Sequence, residues 1–241
     1  ALPICNTFIF DWAKSTKSMF TVSGLVNGQA SDRILRTLDA SAATINLVAN
    51  HDTERDGSTL NYKAGKRFEL ASMFMLAIPY GKPMIFSGYA FSDRDAAPFS
   101  DNNGMTKDAV CPTVASATAK APQDGLFVCE HRWAGITGMI QWRKTVADAP
   151  VQTVYSKGGQ YGFSRGNLGY VLFNTSAKPV TLTVKTAMPA GTYCNLPISG
   201  TFTSSSNCPT AAKVVVSKTG TAKLSVAGWS AAAIAASSKL N

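Results

Sequence analysis

Apolar and polar positions follow two different rhythms along the chain, and the change falls near residue 150. Before it, the run Ile-Asn-Leu-Val-Ala at 45–49 reads as a short buried strand and ends abruptly in Asn50-His51-Asp52. Over 63–78, Phe68, Ala71, Phe74 (with Met75) and Ile78 recur at helical spacing, and Pro79 and Gly81 stop the pattern. Residues 84–89 form a second buried-type strand, followed by a polar loop rich in Asp and Asn. Residues 130–146 predict another helix, with Trp133, Ile136, Met139 and Ile140 inward. Strand, helix, strand, helix is the order of a parallel sheet covered by helices.

After residue 150, strand candidates recur about every ten residues: 151–155, 161–164, 169–174, 180–185, 191–195, 213–216, 221–226 and 231–237. Turn residues separate them, as in Lys157-Gly158-Gly159 and Arg165-Gly166-Asn167. This spacing predicts an antiparallel sandwich. Neither half contains an internal repeat or a low-complexity tract.

With 45% apolar and 15% charged residues in 241, the chain has the composition of a folded protein with a sizeable core, as one large domain or two small ones. The net charge of +9 raises nucleic acid as a partner. It comes from few acids (14) rather than clustered bases, and the densest basic patch, 63–67, holds three, so no nucleic-acid partner is predicted. No membrane partner is predicted either: the most apolar stretch, 70–80, is short and contains Pro79. The start, Ala1-Leu2-Pro3-Ile4-Cys5, reads as a mature or cut end rather than a signal peptide.

The five cysteines lack the close CxxC spacing of a metal site, so none is predicted. Cys111 and Cys129 flank one loop containing Pro112, Pro122 and Gly125, and Cys194 and Cys208 flank another rich in Ser and Thr. Two disulfides closing these loops are expected, which implies an oxidising compartment and leaves Cys5 without a partner.

Asn50-His51-Asp52 is the spot that carries chemistry. A buried strand ends in a carboxylate and an imidazole, as strands do at the active-site face of a parallel barrel. By itself the triplet reads first as a strand ending in an Asn/Asp turn. Its surroundings add more. Val48-Ala49-Asn50-His51-Asp52-Thr53-Glu54-Arg55 resembles the end of the seventh barrel strand of alpha-amylases. Further matches follow in order: Phe74 to Gly81 is similar to that family's last-helix motif, Met84 to Tyr89 to its eighth strand, Cys129-Glu130-His131-Arg132-Trp133 to the start of the helix after it, and Tyr161 to Gly166 and Pro189 to Cys194 to its C-terminal sandwich. The resemblance runs from about Ser31 to the end and is nearest the bacterial and animal type.

The resemblance implies retaining endo-hydrolysis of α-1,4-glucan by a nucleophile and an acid, with a third carboxylate stabilising the oxocarbenium-like transition state. Asp52 matches the third carboxylate, and His51 the histidine that binds the sugar in the same subsite. Asn50 and Arg55 are structural neighbours, Arg55 bracing the loop. The nucleophile and acid lie on the family's fourth and fifth strands, which precede residue 1. The loose match of residues 1–30 is to the region of the sixth strand. Asp11, Glu54, Asp93, Asp95 and Asp101 have no motif behind them and are expected to be solvated loop acids. His131 is expected to be structural, and Trp12, Trp133, Trp142 and Trp229 to be core.

The family's calcium ligands lie mostly in the missing part, so calcium belongs to the complete enzyme and no cofactor to this chain. Ala49 stands where the family commonly has Asp. Met84 stands where chloride-dependent members carry Lys or Arg, and no chloride dependence is expected although Asn50 matches another chloride ligand.

The expected fold is therefore the C-terminal portion of a (β/α)8 TIM barrel (1–150, about strands 6–8, incomplete), then an antiparallel Greek-key β-sandwich (151–241) that packs on the barrel and can fold alone. The expected partners are an α-glucan and the missing N-terminal half of the barrel, the location is secreted, and the 241-residue chain by itself is expected to be inactive. The competing readings are a non-catalytic glucan-binding remnant and a structural β-sandwich module.

Overall fold

The computed structural model describes residues 7–8, 10–21, 44–112, 116–118 and 122–240. Cys5 and residues 31–43 of the resemblance lie outside the described residues.

Three short strands, β1 (Thr7–Phe8), β2 (Thr44–Leu47) and β3 (Lys82–Met84), pair in parallel in the order β1-β2-β3. Helices stand between them in the chain, as parallel pairing requires: α1 (Phe10–Thr21) before β2, then the single-turn α2 (Thr53–Asp56) and α3 (Lys66–Ala77) before β3. The predicted helix at 63–78 is thus trimmed at its start. Gly65 adopts φ +54°, and a Cβ there would meet Ala117 O at 2.9 Å, so residues 62–64 form a separate 3-10 turn. At the other end Ile78 is extended, as expected before a proline. Nine of the twelve α3 residues are buried, which places this helix inside the molecule.

The second predicted helix divides in the same way. Glu130–Arg132 is a 3-10 turn, Trp133 is extended, and α4 runs Ala134–Val146. Glu69 on α3 accepts the Gly135 N–H at 3.0 Å and so satisfies a free donor of the α4 first turn. Ladder pairing of β3 stops at Met84. Farther on the chain pairs with a returning loop: Val128 N–H donates to Gly88 O at 3.0 Å and Ala90 N–H to Leu126 O at 2.8 Å.

Eight strands follow: β4 (Val151–Lys157), β5 (Gln160–Arg165), β6 (Gly169–Asn174), β7 (Val180–Lys185), β8 (Gly191–Cys194), β9 (Lys213–Val216), β10 (Thr221–Val226) and β11 (Ser230–Ala235). They form two four-stranded sheets, β11-β6-β5-β4 and β7-β10-β9-β8, in which every pair is antiparallel. The single-turn helix α5 (Leu196–Ser199) lies in the loop after β8. Both expected disulfides are present, Cys111–Cys129 and Cys194–Cys208, with Cα separations of 5.7 and 5.8 Å.

In the β11-β6-β5-β4 sheet, the strands β11, β6 and β5 are covered on both faces, while β4 is largely exposed. Tyr170 and Leu172 of β6 and Ala232 and Ile234 of β11 meet the second sheet, where Val184, Val216 and Leu224 complete an apolar layer. The alternate residues, Val171, Phe173, Ala231 and Ala233, join Phe163 against α3 and α4. Rings run across the division at residue 150: Trp12 stacks on Phe74 at 6.2 Å, Phe74 meets Phe173 edge-on at 5.4 Å, and Phe173 meets Phe163 at 6.3 Å. Trp142 donates to Ile234 O at 3.0 Å. The sandwich thus shares a core with the helices of the first part.

Arg165, 1% exposed at the end of β5, ties the parts together. It donates to Ala77 O at 2.9 Å, to Ala147 O at 2.8 Å and to Ala149 O at 2.5 Å. Arg143 on α4 donates to Leu76 O, Ile78 O and Gly81 O at 2.8–3.1 Å. Ala77 and Ala147 close α3 and α4, where free carbonyls and the negative dipole end favour a cation. Burial and the Arg143 charge lower the Arg165 pKa to about 10, still well above neutrality.

Candidate functional site

β2 delivers Asn50, His51 and Asp52 at its C-terminal end, and the turn is shaped by the first of them. The Asn50 side chain, 8% exposed, has its Oδ1 facing three donors: Asp52 N–H at 3.2 Å, Thr53 N–H at 2.9 Å and the Thr53 hydroxyl at 3.0 Å. The Thr53 hydroxyl in turn accepts from Asn50 N–H at 3.2 Å, and Glu54 N–H donates to Asn50 O at 3.1 Å. An Asx turn held at this many points leaves His51 and Asp52 pointing outward. Their side chains are 80% and 68% exposed, with His51 Nε2 and Asp52 Oδ1 3.5 Å apart.

The next turn, α2, faces the opposite way. Arg55 donates to Arg94 O at 2.9 Å and Ala96 O at 3.2 Å, and its guanidinium lies 4.7 Å from the Tyr89 ring and 4.0 Å from the Phe91 ring. These contacts link the 89–96 loop to the turn after β2.

Glu54 departs from expectation. It is buried at 4% exposure rather than solvated. Burial, opposed by Arg55 and reinforced by the nearby Glu130 charge, pushes its carboxyl up to about 7. Its carboxyl packs close against Gly88, where an added Cβ would meet Oε1 at 2.8 Å. Glu130, 1% exposed, lies on the other side of the same segment, and its Oε2 accepts the Ser87 hydroxyl at 2.7 Å. Burial raises its carboxyl too, against the Ser87 hydroxyl and the N–H groups of Glu130 and Gly88. Asp11, Asp93, Asp95 and Asp101 are exposed, as expected.

His51, Glu54, Arg55, Ser87 and Gly88, with Phe86, Tyr89 and Phe127, line a cavity of about 260 Å³. Asp52 stands at the surface beside it rather than in its wall. Among the described residues no group of three His, Cys, Asp or Glu side chains could hold a metal ion.

Residues 155–237 match the family described as Alpha amylase, C-terminal all-beta domain. Over 183 residues the chain is 40% identical to an alpha-amylase of Streptomyces violaceus, covering 72% of this chain and 30% of that protein. The chain belongs to the alpha-amylase family. An alpha-amylase-related protein of Drosophila willistoni is 34% identical over 165 residues, covering 68% of this chain and 32% of its own length. The chain thus spans about a third of the length of these relatives and corresponds to the C-terminal part of an alpha-amylase. A crystal structure of alpha-amylase I from Eisenia fetida, a mutant in complex with maltohexaose, superposes with a TM-score of 0.79 at 22% identity, over 95% of this chain and 49% of that one. The wild-type enzyme superposes with a TM-score of 0.75 at 24% identity. These two likenesses concern the fold.

Within this alpha-amylase family chain, the structure brings Asn50, His51, Asp52 and Arg55 into one turn and its supporting helix. The buried Glu54–Glu130 pair is what sequence reasoning missed. Glu130 had a usable signal, since it follows Cys129, which a disulfide anchors to the loop. His131 is exposed at the surface, Trp12, Trp133 and Trp142 are core, and Trp229 is half-buried under Arg67, 4.5 Å from its ring.

Proposed function

We propose that this chain serves in an alpha-amylase that cleaves α-1,4-glucosidic bonds of starch by retaining endo-hydrolysis. Asp52 stabilises the oxocarbenium-like transition state and His51 hydrogen-bonds the sugar in the same subsite. One observation carries the reading: His51 and Asp52 leave the C-terminal end of a parallel strand with their side chains free to meet a ligand.

On this reading residues 1–150 are the last strands, six to eight, of a (β/α)8 barrel, and 151–241 are its Greek-key sandwich. The nucleophile and general acid come from strands outside the chain, so the 241 residues alone do not turn over starch. Calcium, where the complete enzyme holds it, belongs to that other part, and no step here passes through it. Two disulfides suit a secreted protein, and no described helix is long and apolar enough to cross a membrane.

The test is reducing-sugar release from soluble starch, by the 241-residue chain and by a complete protein carrying it. The chain alone should release none. In the complete protein Asp52→Asn should lower kcat about a hundredfold or more while KM moves little, as for loss of a group acting only in the transition state. Turnover by the chain alone would place the catalytic pair within it. Starch binding without hydrolysis by the complete protein would favour the glucan-binding reading.

A further inference from the structure

We propose that Glu54 is a positioning residue for the His51–Asp52 turn, its carboxylic acid form seating α2 against Gly88 and its carboxylate form loosening that seat. The idea deepens the proposed function, since it concerns the turn that presents Asp52.

The geometry leaves Glu54 few ways to carry a charge. Gly88 closes one side, close enough that an added Cβ would meet Oε1 at 2.8 Å. Arg55 Nε stands 3.5 Å from Oε1, but this guanidinium is already committed to two carbonyls and two rings. Glu130 faces Glu54 as a second acid and raises the cost of its ionisation, while Lys63 and Arg55 lower it. The two acids differ in what supports them. Glu130 receives the Ser87 hydroxyl and two backbone N–H groups, which favour its carboxylate, whereas only Arg55 hydrogen-bonds Glu54. Of the two, Glu54 has the weaker support for its charge. Through its backbone Glu54 holds Asn50 O, and Asn50 holds the Asp52 amide, so a shift of α2 reaches the exposed carboxylate within one turn of chain.

The sign follows from linkage. A carboxyl raised from 4.5 to about 7 in the folded state stabilises that state below the lower value. The contribution is lost as pH rises towards the higher value and stays lost above it.

The experiment is backbone amide exchange of residues 50–56 in the 241-residue chain, corrected for intrinsic rates, from about pH 5 to pH 8. Protection in the unsubstituted chain should fall by up to about tenfold per pH unit towards neutrality and then level off. Glu54→Gln should keep high protection throughout with no such slope. The same slope in Glu54→Gln overturns the proposal, and so does protection lost equally at every pH, the mark of a merely structural contact. Glu130→Gln supplies an independent check: with the repelling charge gone, levelling-off should move to lower pH, and an unmoved profile counts against the mechanism. Maltohexaose titration and starch turnover of Asp52→Asn separate the two readings. In that variant the binding should stay close to that of the unsubstituted protein, while unchanged kcat on starch in the complete protein removes the proposed role of Asp52, and the exchange profile still decides Glu54.

Discussion

The orientation of His51 and Asp52 depends on one amide. Asn50 Oδ1 faces three donors, two of them backbone N–H groups. Asn50→Ala leaves these donors without their acceptor in a largely buried turn, a loss of about 1–3 kcal/mol. It should lower the melting temperature and speed amide exchange at Asp52 and Thr53 before exchange in the sandwich changes. Asn50→Asp keeps the acceptor and should hold the turn better, at the cost of one more negative charge close to Glu54. At this scale the sequence was informative about polar residues that act locally and silent about those that act at a distance. The Asn50 turn needs only its next three residues. Burial of Glu54 needs Gly88 and Glu130, which the chain brings in from 34 and 76 positions away.

Elements were legible to the degree that their pattern is self-contained. All eight sandwich strands stand close to where the spacing of turn residues put them, the last ending at Ala235 before a 3-10 turn. The two helices of the first part were found but too long, because the backbone of Gly65 and Trp133 answers to neighbours rather than to periodicity. One available signal went unused. Strands β9 and β10 alternate buried with exposed residues, as one solvated face requires, whereas β5 and β6 are buried throughout. A continuous apolar run marks a sheet covered on both faces, so Tyr-Gly-Phe-Ser and Tyr-Val-Leu-Phe already pointed to helices above the sandwich. Arg165 is the polar counterpart of that packing. Arg165→Met keeps the bulk and removes the donors to Ala77, Ala147 and Ala149. It should destabilise the chain by roughly 2–4 kcal/mol, the scale of several buried carbonyls left unpaired, seen as a lower denaturant midpoint.

The whole molecule then behaves as one cooperative unit only if its two halves stay together. A segment of residues 151–241 alone would expose Phe163, Phe173, Ala231 and Ala233, which now pack on α3 and α4. Such a segment should melt at lower temperature than the same sheets in the full chain and bind hydrophobic dyes, and a transition equal to that of the full chain would show that the helices contribute nothing. The described residues leave one such surface open. β3 is the end strand of the described parallel sheet, and beside it Leu76, Pro83, Ile85 and Ile140, with Arg143, Lys144 and Ala147, line a largely apolar cavity of about 450 Å³. An edge strand next to an apolar groove is a template for association, and a proposed barrel partner would cover both. The 241-residue chain should therefore associate as its concentration rises in sedimentation velocity. Ile140→Lys, placing a charge in a groove that is only half-buried, should shift the equilibrium towards monomer in the isolated chain yet weaken any complex with the rest of the barrel. The opposite signs matter, because a substitution that merely damaged folding would weaken the complex and increase aggregation together.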